Sequence, residues 1–462
     1  MLTVEKIGGT SMSKFGDVLN NIIIGNRKKK DLYSRIFVVS AYANVTNWLL
    51  EHKKNKTPGI YTMFAEGKPY GSLIKELSVN LKKLNKEFAS IGLDLKNADA
   101  FIDTRISKAD EYLKSMQHLL SSGYVNRDNI LLSAREILAS IGEAHSAYNS
   151  ALILNANGIK SMFIDLSGFD DSDYITIDER IHRTFKDIDF TKTIPMVTGY
   201  TKGKEGIMRE FDRGYSEITF GKIAVEVKAS EAIIHKEFHL SSSDPNIVGV
   251  EKSVPVCFTN YDVADQLADI GMEAIHPRAS KPLEKAGINI RIKNTFEPEH
   301  PGTLITKHYV GPESKVEIVA GTDKIEVIEI HDSLIPGDYN FDLGVIQIFQ
   351  KHKINYISKS NNANSVSLVV WEQPGNDSLV KDLRKNYELV TQNRVAILCA
   401  IGSNIAQPGV LSRATNALAA AKINILCVSQ TMRQVNMQFI VGRNHYTKGI
   451  IALHDALCAK KS

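Results

Sequence analysis

Seven residues near the C-terminal third, Ile354-Asn355-Tyr356-Ile357-Ser358-Lys359-Ser360, return as Ile423-Asn424-Ile425-Leu426-Cys427-Val428-Ser429. At the same offset Val366, Leu368 and Val370 meet Val435, Met437 and Phe439, while Ile328 and Phe349 meet Ile397 and Leu418. A register kept through a strand, a helix and two further strands marks a duplicated supersecondary unit. Each copy continues into a helix, so both read as βαββα, most of a ferredoxin-like α+β module. The second copy ends with a helix over Tyr446 to Leu457 and only a few residues more, which leaves it without a fourth strand. Lys315-Val316-Glu317-Ile318-Val319-Ala320 precedes the first copy as an unassigned strand. It is expected to fill that vacancy and so interlock modules over about 321–390 and 391–462.

A chain of 462 residues is too long for one ordinary core, so a further domain is expected ahead of the repeat. From Met1 to about residue 306, short β-branched runs alternate with helical stretches, the pattern of a mainly parallel sheet covered on both faces, a three-layer αβα arrangement. Ile36 to Ser40, Ile194 to Thr198, Glu231 to His235 and Asn289 to Ile292 are the strand candidates. Between about 51 and 129 the period becomes helical, with Leu77, Leu81 and Leu84, then Leu113, Met116, Leu119 and Leu120. This reads as a helical insertion whose apolar stripe packs inward.

A net charge of +4 is small for this length, which argues against nucleic-acid binding, and Arg27-Lys28-Lys29-Lys30 reads as a solvated helix end. Cys257, Cys399, Cys427 and Cys458 are widely spaced among mostly apolar neighbours and read as buried thiols of a reducing compartment. No charged-then-apolar leader precedes the first strand, and no apolar run approaches about eighteen residues. The cytoplasm, with no membrane partner, is the expected location.

The chemistry-bearing stretch is Lys6-Ile7-Gly8-Gly9-Thr10-Ser11, where a first strand should end and a helix begin. The glycines let backbone approach an anion, successive N–H groups at the helix start form an anion-binding concavity, and Lys6 adds a point charge. It is not a Walker loop, because the Lys precedes the glycines. On residues alone, an ordinary strand-to-helix connection is an equal reading.

Further blocks follow in order. They are Val38-Val39-Ser40-Ala41 with Asn44-Val45-Thr46-Asn47, Glu136 with Ser140, Thr198-Gly199-Tyr200, Asp212-Arg213-Gly214-Tyr215-Ser216-Glu217, Ile275-His276-Pro277, and Ile292-Lys293-Asn294-Thr295-Phe296 through Pro301-Gly302-Thr303. Together these resemble the aspartate kinases of the amino-acid kinase family, over roughly Met1 to Ile305. Arg-Gly-Tyr-Ser-Glu and Gly-Met-Glu-Ala-Ile-His-Pro are most similar to the type associated with ectoine synthesis. The repeat resembles the tandem ACT modules, which sense amino acids, expected behind such a kinase domain. The resemblance thus implies a catalytic domain over 1–306 and a regulatory domain over 307–462.

The implied reaction transfers the γ-phosphoryl group of ATP, with Mg²⁺, to the β-carboxylate of L-aspartate. A carboxylate is already a nucleophile at neutral pH, so alignment and charge stabilisation suffice. Among the residues that match, Lys6 and Glu217 would be catalytic. Gly8, Gly9, Thr10, Ser11, Lys236, Ser243 and Asp244 would hold the nucleotide. Ser40, Thr46, Glu136, Arg213 and Ser216 would hold aspartate, Glu136 on its ammonium and Arg213 on its α-carboxylate. Three departures stand out: Glu217 for the family's Asp, Glu273 where a Lys is common, and His235 to Pro245 in place of the usual nucleotide loop. They keep open an amino-acid-sensing pseudokinase, and a sibling kinase acting on another carboxylate is a third reading. Ser403, Asn404 and Gly409, between strand and helix of the second module, would meet an amino-acid effector. The ACT-like modules imply a homodimer or higher homo-oligomer.

Overall fold

A computed structural model describes residues 1–27, 29–52, 55–210, 214–272, 274–332 and 339–458. The chain forms two compact units, one of Met1–His239 with Ile275–Leu304, the other of Leu240–Ala274 with Ile305–Ser462.

In the first unit, strands β1 (Thr3–Ile7), β2 (Arg35–Val39), β3 (Ser161–Ile164), β4 (Ile194–Thr198), β5 (Glu231–Lys236) and β6 (Asn289–Asn294) lie side by side in the order β3-β4-β2-β1-β5-β6. Every pairing among them is parallel. Strands β2 and β4 are buried at every position, as a sheet covered on both faces requires. The four expected strands are all present, Ile194–Thr198 with the expected bounds and the other three differing by a residue or two at their ends.

The inserted region consists of helices Ile60–Ala65, Gly71–Glu87 and Leu95–Ser122, followed by the 30-residue helix α1 (Arg127–Ala156). Asp94 and Asn126 start the last two by accepting the N–H groups of Asn97 and Asn129, and Gly123 ends the first of these in the left-handed region. Leu77, Leu81 and Leu113 are buried, as the stripe predicted. Met116 and Leu119 are not: with Tyr112 they line a cavity of about 470 Å³ beside Glu136 and Tyr200. A buried polar knot holds the insertion to α1. Nε2 of His145 lies 2.6 Å from Oδ1 of Asn85, and the Asn149 amide donates to the same oxygen at 2.8 Å.

The second unit carries an antiparallel sheet of β7 (Ile318–His331), β8 (Tyr356–Asn361), β9 (Ser365–Trp371), β10 (Leu389–Ile401), β11 (Ile425–Ser429) and β12 (Asn436–Gly442), ordered β8-β9-β7-β10-β12-β11. Strands β7 and β10 each serve twice. Ile318–Thr322 lies against Ile397–Ile401 as the fourth strand of the second βαββα copy, and Leu389–Val395 lies against Ile325–His331 as the fourth strand of the first. The vacancy in the second copy is thus occupied by the segment anticipated for it, beginning at Ile318. The register shifts where the copies meet, and a Cβ on Gly321 would sit 2.2 Å from the Ile397 carbonyl oxygen, so only glycine fits that crossing. Each copy has its own core, around Ile328, Phe349 and Leu368 in the first and Leu398, Leu418 and Phe439 in the second.

Leu240–Ala274 joins this unit although it precedes residue 306. Val263 and Leu267, on helix Tyr261–Asp269, and Ile270 just after it bury themselves with Ile318, Val395 and Ile397. Of the four cysteines, Cys399 alone is fully buried and Cys257 is exposed, so the expectation of buried thiols holds only in part; all four are free. No helix among the described residues is long and apolar enough to cross a membrane.

Candidate active site

The motif residues converge at the carboxyl ends of β1, β2, β4 and β5, where open parallel sheets bind their ligands. Lys6 is the penultimate residue of β1, Ser40 follows β2, Gly199 follows β4 and Lys236 ends β5. Helix α2 (Tyr215–Glu226) adds Ser216 and Glu217 from its first turn, entered through Gly214 at φ 85°, a conformation that favours glycine.

Lys6 donates to Oε1 of Glu217 at 3.3 Å, and both side chains are almost wholly buried. The other oxygen, Oε2, accepts the backbone N–H of His276 at 2.7 Å. Burial would raise the Glu217 carboxyl, but Lys6, Lys236 and that N–H together hold it below its ordinary value. The Ile275-His276-Pro277 block therefore serves the site through its backbone. His276 also caps the helix Pro277–Lys285, its Nδ1 accepting the Arg278 N–H. The hydroxyls of Ser40 and Ser216 lie 3.2 Å apart.

A second carboxylate, which the sequence reading passed over, faces the same lysine. Glu143 on α1 is buried; its Oε2 has no hydrogen-bond partner among the described residues, while the Ala41 N–H donates to its carboxylate. Burial pushes its carboxyl well above the usual range, and Lys6 offsets only part of this. Gly142, just before it, is required: a Cβ there would meet Ala41 Cβ at 2.8 Å and Val45 Cγ1 at 2.9 Å. Gly199 is equally constrained, by Ser216 Cβ at 2.6 Å and Glu143 Oε2 at 3.0 Å. Ser146, three residues after Glu143, donates to the Ser40 carbonyl.

Glu136 stands two helical turns earlier, about 10 Å along α1. Its carboxylate accepts the Tyr200 hydroxyl at 3.1 Å and the Met208 N–H at 2.9 Å. It braces the segment Ile207–Glu210 and is not brought to Lys6, because a seven-residue step keeps the helix face but changes the level. The Gly-Glu pair with a Ser three residues on was the legible signal, and it sits at Gly142-Glu143 and Ser146.

On the phosphate side, the Gly8 N–H is spent on the His235 carbonyl at 3.4 Å, continuing the β1–β5 ladder. This corrects its assignment as a phosphate donor. The N–H groups of Gly9, Thr10 and Ser11 open the helix Gly9–Met12 and have no acceptor among the described residues. A Cβ on Gly9 would meet the Ala41 oxygen at 2.6 Å. The Ser11 hydroxyl is buried and turned inward, 3.0 Å from that of Thr295. Thr46 lies in the first turn of helix Val45–Leu49, half-buried. Arg213 and Asp212 lie outside the described residues, as does Glu273.

Ser243 and Asp244 belong to the second unit. Asp244 caps Pro245–Val248 by accepting the Asn246 N–H at 2.9 Å, and the buried Ser243 hydroxyl has no partner among the described residues. The expected effector residues there are also engaged. Glu317 accepts both the N–H and the hydroxyl of Ser403, and the Asn404 amide donates to the Gly311 carbonyl at 2.8 Å. Gly409, at φ 87°, starts helix Val410–Ala420 with open space around it.

A mainly parallel sheet with a lysine, two carboxylates and a glycine turn at its carboxyl edge defines a phosphotransferase acting on a small substrate. Residues 1–294 match the amino acid kinase family and residues 386–457 match an ACT domain, and the chain belongs to the amino-acid kinase family. Its relatives include the aspartate kinase Ask_Ect of Stutzerimonas stutzeri, 45% identical over 99% of this chain and 97% of that one. Aspartokinase 1 of Arabidopsis thaliana chloroplasts is 27% identical over 98% of this chain and 81% of its own. Among solved structures, E. coli aspartokinase III in complex with aspartate and ADP superposes with TM-score 0.73 at 17% identity, over 99% of this chain and 100% of that one. The same enzyme with lysine and aspartate gives 0.70 over 99% of each chain, also at 17% identity.

Proposed function

We infer that this chain is an aspartate kinase of the ectoine-associated type, transferring the ATP γ-phosphoryl group to the β-carboxylate of L-aspartate to give 4-phospho-L-aspartate and ADP. The observation that carries this reading is Lys6 set between Glu217 and Glu143 at the carboxyl ends of the strands, in a chain 45% identical to an aspartate kinase over nearly its whole length.

The geometry divides the work by charge. Lys6 stabilises negative charge on the transferring phosphoryl oxygens, and Glu217, itself held ionised, keeps the lysine aimed. The unpaired Oε2 of Glu143 receives the α-ammonium of aspartate, which supplies the cation that this buried carboxylate lacks. Ser40 and Ser216 orient the carboxylate groups, with Thr46 and Arg213 completing the substrate side. The amides of Gly9, Thr10 and Ser11 take the terminal phosphates, and Lys236 faces them from β5. No described cluster of His, Cys, Asp or Glu could hold a metal by itself. Mg²⁺ would enter chiefly on the phosphates of ATP, with at most a carboxylate from the chain, and would neutralise charge there.

The regulatory role proposed for 307–462 rests on the ACT match and on the tandem fold. An amino-acid effector would meet the open surroundings of Gly409 in preference to Ser403 or Asn404. A homodimer or higher oligomer through this unit is supported by Tyr356, Leu426 and Val428, apolar and exposed on the outer strands β8 and β11. Trapping of acyl phosphate as the hydroxamate, with aspartate, ATP and Mg²⁺, tests the activity directly. Absence of hydroxamate with aspartate, or faster formation with another amino-acid carboxylate, refutes the assignment.

A further inference from the structure

Beneath β1 lies a second polar chamber that the phosphotransfer site does not use. Side chains alternate between faces along a strand, so Glu5 and His235 point away from the face that bears Lys6 and Lys236. There they line a cavity of about 180 Å³ together with Arg27, Glu231, Arg291 and Lys293.

Its charges do not cancel. Glu5 is taken by Arg35, which donates at 2.6 Å and 3.0 Å, and Glu231 is taken by Arg291 at 2.8 Å. Arg27 and Lys293 are left facing the cavity without a carboxylate at ion-pair distance among the described residues. Their hydrogen bonds go to the carbonyls of Ile22 and Pro298. Burial lowers the proton affinity of both; Arg35 adds to the lowering at Arg27 and Arg27 and Arg291 to that at Lys293, while Glu5 offsets part of it at each, with Asp31 at Arg27 and Glu299 at Lys293. His235 is buried, with Nε2 2.7 Å from Oε2 of Glu5; that carboxylate, held ionised by Arg35, can only accept, so Nε2 carries the proton and Nδ1 is left as an acceptor with no partner among the described residues. Two cations with no carboxylate at ion-pair distance among the described residues, Lys293 half-buried and Arg27 more exposed, together with one buried acceptor, suit a ligand that is an anion and yet carries a hydrogen-bond donor.

We propose that this chamber binds a small oxyanion that retains a proton, of the hydrogenphosphate class. Its anionic oxygens lie toward Arg27 and Lys293, and its O–H donates to Nδ1 of His235.

Calorimetric titration of the full chain with inorganic phosphate near pH 7.5, at constant ionic strength, tests this. It is repeated on Lys6→Ala, which disables the phosphotransfer face, and on Arg27→Gln and Lys293→Met. The expected result is one phosphate bound by wild type and by Lys6→Ala alike, with affinity at least about tenfold weaker in each of the other two variants. Sulfate, which has no O–H at this pH, should bind more weakly than phosphate. Thermal melts with phosphate against chloride give a second readout, since a ligand of the native state raises the midpoint. No binding by wild type, loss of binding in Lys6→Ala, or unchanged binding in both cavity variants overturns the proposal. Sulfate binding as tightly as phosphate overturns the part given to His235.

Discussion

Glu143→Gln should make the protein more stable and a far poorer enzyme, and each effect has its own magnitude. The wild-type carboxylate is buried with Oε2 unpartnered, and an unsatisfied buried group of this kind costs about 1–3 kcal/mol. Its pKa is raised in the folded state by burial, so its favourable, protonated form is fully present below the ordinary glutamate value of about 4.3. That stability is lost as pH rises through the raised folded value. Gln, neutral throughout, should therefore melt above wild type at pH 8, by about 2–4 °C per kcal/mol for a unit of this size, and the gap should close toward pH 5. Activity moves the other way. Losing one charge-assisted contact to the substrate ammonium, worth about 1.5–3 kcal/mol, lowers kcat/KM for aspartate about 10–200-fold while KM for ATP changes little. Wild-type kcat/KM for aspartate should fall on acidification at a pH above that of an ordinary carboxylate, and the variant should lose that limb. Melting curves at several pH values and hydroxamate kinetics read all of this. A variant that melts lower at pH 8, or that binds aspartate normally, refutes the reasoning.

Lys6→Ala should leave the melting midpoint near wild type and lower turnover by about 10²–10³-fold, the usual effect of removing one donor aimed at developing charge; retention of a third of the activity would refute its role. Glu136→Gln keeps acceptors for Tyr200 and the Met208 N–H, so kcat/KM for aspartate should change by less than about tenfold, and a loss matching that of Glu143→Gln would return the ammonium role to Glu136. Gly321→Ala puts a Cβ 2.2 Å from a carbonyl oxygen between β7 and β10, and should lower the midpoint of the regulatory unit's transition in a melt that resolves both units. Titrating lysine, threonine and other aspartate-derived amino acids with and without saturating aspartate should show that aspartate changes the effector's affinity by the same factor as the effector changes that of aspartate; binding by none of them leaves the repeat without a sensing role.

Much of the architecture was legible because local rules and tertiary packing agree. Short β-branched runs between helical stretches became β1, β2, β4, β5 and β6, and the duplicated register became two βαββα copies whose missing strand could be named in advance. The long strands β7 and β10 show where legibility stopped. That Leu389–Val395 closes the first copy is a consequence of pairing, since one continuous strand can border different partners along its length. The assignment of Leu240–Ala274 to the second unit was likewise hidden, because burial of Val263, Leu267 and Ile270 depends on distant residues such as Ile318 and Val395.

The chain by itself determined the chemistry on offer: a lysine before a glycine turn, hydroxyls after the second strand, and a helix opening on Ser216 and Glu217. Each feature is local, set within a few residues of a strand end or a helix start, and strand, turn and helix geometry carry all of them to one edge of the sheet. Which glutamate completes the site was decided by the tertiary structure. Glu136 and Glu143 share a helix face seven residues apart, and only the close packing of Gly142 on Ala41 and Val45 sets Glu143 at the level of Lys6, where burial leaves its second oxygen unpaired. The same holds for Gly8, whose N–H was claimed by the ladder to His235, and for Ser403, whose hydroxyl was claimed by Glu317. A residue's type states what it can bind, but what it is free to bind depends on neighbours that arrive from far along the chain.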